Sequence, residues 1–166
     1  MAFLVKSLPR RTSGPSNPGF AVVEELIQVS KAAATLPATG NQSIFTISGG
    51  RVLVKYLIGE VTTATDATVT NLKVTSVPTV GSAVDIASNL AIASFEKGAI
   101  LVVEGDGTAL IGAAAGSGAA NAALGAGYFV LPVGTIRITT SATNAGATKW
   151  DLFYQPLDPA AIVVSA

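Results

Sequence analysis

From residue 40 onward, apolar and polar positions alternate with a period of two, broken at short intervals by Gly, Pro and Asn. Residues 43–48 put Phe45 and Ile47 on one face, and Gly49-Gly50 marks a turn. Residues 51–63 put Val52, Val54, Tyr56 and Ile58 on one face and Leu53, Leu57 and Val61 on the other. Apolar residues on both faces predict a strand covered on both sides, as in the middle of a sandwich. Over 68–77, Leu72 and Val74 face inward and Asn71, Lys73 and Thr75 outward, until Pro78 and Gly81 close the run. Shorter strands are predicted over 84–93, 99–104 and 128–132, with turns at Glu96-Lys97-Gly98 and Gly105-Asp106-Gly107. Residues 135–141 turn Ile136 and Ile138 inward and Arg137 outward. Asn144-Ala145-Gly146 then makes a tight connection to a strand over 149–155. Pro156 and Pro159 bracket a bend before the apolar tail Ile162-Val163-Val164.

About eight short strands separated by turn residues, rich in Thr and Val, predict an all-β fold, a jelly-roll-like β-sandwich occupying residues 20–166. Two stretches depart from the pattern. Residues 1–19 carry Pro9, Pro15 and Pro18 among Ser, Gly and Asn, which predicts an extended N-terminal arm with no core of its own. Residues 112–127 are mostly Gly, Ala and Ser, too small to build a core strand. They read either as a long loop or as a place where another backbone comes close. Residues 20–31 admit two patterns: a helical stripe of Val22, Val23, Leu26 and Ile27, or a strand face of Val23, Glu25, Ile27 and Val29. The β character of the remaining chain favours a strand from about Glu25.

Composition narrows the function. Charged residues make up 12% of the 166, against ~25% in an ordinary soluble domain. The hydrophobic fraction is 49%, mean hydropathy is +0.56 and the formal net charge is zero. A surface this weakly charged offers little repulsion between copies, so partner subunits are expected to cover part of it. The chain has no His and no Cys, which removes the commonest general base, thiolate metal sites and disulfides. No catalytic, cofactor or metal site is predicted, and the chain is read as not an enzyme. Glu104-Gly-Asp106-Gly offers too few oxygens for Ca²⁺ and reads as a charged turn. No carboxylate pair is singled out for glycoside hydrolysis, although Glu60, Glu104 and Asp106 are the ones to test. The Gly-rich segment lacks the endings of a phosphate loop or dinucleotide fingerprint. Ten basic residues against ten acidic ones make no nucleic-acid face. The uncharged run between Asp106 and Arg137 is too rich in Gly and Ala to predict a membrane span, and the N-terminal order does not predict a secretory signal.

Three stretches carry a family likeness: residues 44–63 (IFTISGGRVLVKYLIGEVTT), residues 78–87 (PTVGSAVDIA) and residues 150–158 (WDLFYQPLD). Together they resemble the small jelly-roll decoration, or cement, proteins on the capsids of tailed bacteriophages. The resemblance covers roughly residues 40–160 and rests on structural patterns. It implies a structural virion protein on the outer capsid surface, bridging major capsid protein subunits non-covalently. It also implies self-association, as a homotrimer or, less often in such proteins, a dimer. A trimeric tail fibre or baseplate receptor-binding module is the alternative. Contact residues are chosen from chemistry, since the resemblance marks none. Phe3 and Leu4 are apolar groups on an arm without a core, and Lys6, Arg10 and Arg11 are cations free to meet acidic groups on a neighbour. Trp150 and Tyr154 share a strand face, either as interface aromatics or as core.

Overall fold

The structure, a computed structural model, describes residues 26–112, 114 and 128–166. The expected arm over 1–19, with Phe3, Leu4, Lys6, Arg10 and Arg11, lies outside the described residues, as does nearly all of the Gly/Ala-rich segment. Among the described residues ten strands form: β1 (Ile27–Thr35), β2 (Gly40–Ser48), β3 (Val52–Thr63), β4 (Asn71–Pro78), β5 (Val84–Ala91), β6 (Ile100–Val103), β7 (Phe129–Leu131), β8 (Gly134–Thr140), β9 (Ala147–Pro156) and β10 (Ile162–Ser165). They make two five-stranded sheets whose named strands all pair antiparallel. The first runs β1-β9-β3-β6 with β7 also on β3, and the second runs β10-β2-β8-β4-β5. The pairing is nested: β1 with β9, β2 with β8, β3 with β6 and β7, β4 with β5. Between the sheets lies one core that includes Phe45, Leu57, Ile136, Ile138, Trp150 and Leu152. The all-β sandwich read from the sequence is therefore the observed architecture.

Details of register explain where the period-two reading holds. In β9, Thr148, Trp150, Leu152 and Tyr154 are buried in strict alternation. In β8, Ile136 and Ile138 are fully buried and Arg137 points out, as expected. The simple alternation fails in β3. Val54 pairs with Tyr154 but Tyr56 pairs with Phe153, so Lys55 is an extra residue in the ladder. Such a bulge reverses the parity of everything beyond it. Val52 and Val54 face the core, and after the bulge so do Leu57 and Val61, while Tyr56 and Ile58 turn outward and are half-buried. The expected face of Val52, Val54, Tyr56 and Ile58 is thus corrected: it is split between the two sides. A second bulge at Ile44 lets Ile44 and Phe45 be buried in succession. Residues 27–35 are strand rather than helix, and β4 starts at Asn71 because Thr68 lies in a loop.

One ion pair fixes the start of β3. Asp158 Oδ2 accepts hydrogen bonds from the Arg51 amide at 2.7 Å and Nε at 3.1 Å, and Oδ1 accepts from Nη2 at 3.0 Å. The Arg51 side-chain and backbone donors, which favour the carboxylate over the acid, hold Asp158 down to about 2 from an ordinary value near 3.8. Because the folded value is depressed, this pair stabilises the fold above pH ~4 and that contribution disappears as pH falls towards 2. Asp158→Asn is expected to melt below wild type at pH 7, with the gap in Tm closing between pH 4 and pH 2. Thermal melts across that range would contradict the assignment if the gap stayed constant.

Candidate docking surfaces

The register gives the sandwich two ends. One carries Val52, Pro78, Gly134 and Pro156, which sit at paired strand termini, together with the bend leading into β10. The other carries the 63–71 and 140–147 connections. Nine large hydrophobic side chains are exposed among the described residues, and seven of them lie at or beside the first end: Ile27, Val80, Val84, Tyr128, Val130, Leu157 and Ile162. Val80 is 89% exposed, Val84 61% and Val130 52%. Scattered exposed aliphatics are ordinary on a monomer, whereas a gathering at one end makes that end the candidate docking surface.

Between the sheets at this end lies a groove of about 380 Å³. Val84 and Ile86 of β5 and Pro78 of β4 form one wall, and Phe129, Val130 and Leu131 of β7 form the other. The short β7, three residues long, faces the 79–83 turn, whose Val80, Gly81 (φ 108°) and Ser82 also line the groove. Just before β7, the centre of the Tyr128 ring lies 5.1 Å from the Nζ of Lys55, the extra residue of the β3 bulge, a cation–π contact. The first described residues of β1 sit at this same end, because Ile27 is in register with Tyr154, Val54 and Phe129 across the sheet. Within the first sheet β1 is the edge strand away from β7, with β9 and β3 between them.

The aromatics weighed as interface residues are placed by the structure. Trp150 is 1% exposed and Tyr154 3%. Trp150 Nε1 donates to Thr148 Oγ1 at 3.1 Å, and the Tyr154 hydroxyl accepts from the Val163 amide at 3.2 Å. They share a face as expected, but that face is the core, so the interface reading is corrected. Tyr128 is the exposed aromatic, and the alternation that flagged β9 could not show it because it precedes β7 rather than lying in a strand.

The outer face of the second sheet differs from the apolar end. In register across β2, β8, β4 and β5 it presents Ser43, Arg137, Thr75 and Asp85, and in the next row Asn41, Thr139 and Lys73. Several of these line a shallow polar groove of about 390 Å³. Asp85 is held below the usual carboxylate range by hydrogen bonds from the Thr75 hydroxyl at 2.7 Å and from Lys73 at 3.0 Å.

The carboxylates considered for hydrolysis lie in two places: Glu60 on β3, and Glu104 and Asp106 on either side of Gly105 in the turn after β6. Glu60 pairs with Lys149 at 2.6 Å on the outer face of the first sheet. Asp106 accepts from the amide and hydroxyl of Thr108 at 2.9 and 2.6 Å, the geometry of a turn cap. Among the described residues no three His, Cys, Asp or Glu side chains approach closely enough to hold a metal. No helix among them is long and apolar enough to cross a membrane. No family model, curated protein or solved structure matches the chain.

Proposed function

We propose that this protein is a structural virion component that decorates the outer surface of a tailed-phage capsid and bridges major capsid protein subunits without covalent bonds. The observation that carries the reading is the apolar end, where seven exposed hydrophobic side chains gather. An apolar surface and the arm expected from the sequence would supply two linked contacts. Once one is made, the other forms at high effective concentration, so weak individual contacts add to firm occupancy. The nested strand pairing supports reading the sandwich as a jelly roll, a long hairpin rolled upon itself with β7 and β10 as additions. The low charge of the chain supports self-association, with a homotrimer at a capsid symmetry axis as the form in view.

Removing residues 1–19 is expected to leave the melting temperature and oligomeric state of the protein unchanged while abolishing its binding to capsids assembled without it. Sedimentation of capsids with wild-type and truncated protein measures occupancy directly. Wild-type occupancy by the truncated protein would remove the arm from the account.

A further inference from the structure

Arg137 is anomalous among the cations of the described residues. Lys31 donates to the Ala166 carbonyl, Arg51 pairs with Asp158, Lys73 with Asp85 and Lys149 with Glu60. Lys55 stacks on Tyr128, and Lys97 lies on an exposed turn. Arg137 is half-buried in the middle of a sheet face, has no anionic partner among the described residues, and keeps its Nε–H buried without an acceptor. A guanidinium in that state has surrendered part of its hydration and received nothing in exchange among the described residues.

We propose that the polar groove on the outer face of the second sheet is a carboxylate site centred on Arg137, and that it receives an acidic side chain of the protein on which this chain docks. The charge of the groove selects the ligand. Asp85 already spends one oxygen on Thr75 and the other on Lys73, so that pair is internally neutral and Arg137 leaves a single positive charge uncompensated. One excess charge beside a standing carboxylate suits a monoanion better than a dianionic phosphate. The planar guanidinium matches a carboxylate in a forked, two-bond geometry that a lysine cannot reproduce. Thr139 lies beside Arg137 on the same strand face, with its hydroxyl proton directed to Asn41 Oδ1 at 2.6 Å, and it lines the groove without adding charge.

The identity of the docking protein rests on the function proposed above, whereas the chemistry of the site does not, and the test separates them. The full chain, isotopically labelled, is titrated with the N-acetyl, N-methylamide derivative of glutamate and, in parallel, with that of glutamine. Saturable shifts of the Arg137 Nε–H and of the Thr75 and Thr139 amides are expected with the glutamate derivative only, with a midpoint on the order of millimolar. Arg137→Gln is expected to abolish them and Arg137→Lys to weaken binding about tenfold, with the Ile136 and Ile138 amides reporting an intact sheet. The site is overturned if neither probe shifts these signals, if both shift them equally, or if Arg137→Lys binds as wild type. A positive titration combined with wild-type capsid occupancy by Arg137→Gln would keep the site and overturn its assigned occupant.

Discussion

Trp150→Ala is expected to destabilise the fold by about 3–5 kcal/mol, the largest effect of any single truncation in this core. The side chain is the largest that is fully buried, and it lies on β9 in register with Gly59 of β3. The missing side chain at Gly59 is what makes room for it: a Cβ there would stand 2.9 Å from two carbons of the indole ring. Truncation leaves a cavity between two central strands that cannot close without moving both sheets, and it strands the Thr148 hydroxyl that accepts the indole N–H. Since domains of this size are stable by about 5–15 kcal/mol, roughly a fifth or more of the total is at stake. Urea unfolding followed by circular dichroism measures the loss, because the substitution removes the only tryptophan. The converse change gives a sharper check. Gly59→Ala alone is expected to cost about 1–3 kcal/mol by overpacking, and in the Trp150→Ala background most of that cost should vanish. Additive losses in the double-mutant cycle would show that the two residues do not share a space.

How much of this was legible in the sequence depends on what fixes each feature. The alternation in 135–141 assigned the inward face of β8 correctly, and that in 149–155 put Trp150 and Tyr154 on one face, because neither strand contains an extra residue. The same logic misassigned half of β3, since Val52, Val54, Tyr56 and Ile58 keep their alternation straight through the bulge at Lys55. A bulge belongs to a pair of strands, so one strand's hydrophobicity does not reveal it. Trp150 and Tyr154 were readable as one face but not as core or surface, because burial depends on which sheet packs opposite. Arg137 could be read as outward-facing. Its isolation could not, because that depends on Thr75 and Ser43 being its register neighbours while Asp85 is occupied by Lys73. Val80, Val84, Tyr128, Val130 and Ile162 are spread over more than eighty positions, and only the register of both sheets brings them to one end.

That shared end gives the second large effect. Val84→Asp combined with Val130→Asp is expected to reduce capsid binding by at least about a hundredfold while shifting the melting temperature by no more than a few degrees. Both side chains are more than half exposed on opposite walls of the same groove, so a carboxylate at either position remains hydrated in the free protein. Substitutions at such exposed sites usually change folding stability by about 0.5 kcal/mol or less. In the docked state the same carboxylates would lose water without gaining a partner, and at well-buried interface positions a disruption of this kind costs about 2 kcal/mol or more each. Val69→Asp provides the control. It is 70% exposed but sits in the loop before β4 at the opposite end, so it should leave binding unchanged. Equal losses from Val69→Asp and the double substitution would point to a general effect of added charge, and wild-type occupancy by the double variant would mean that the apolar end faces solvent on the capsid. A specific loss with the fold intact would tie the clustering of aliphatic side chains, which folding the chain alone leaves uncovered, to the contact that covers them.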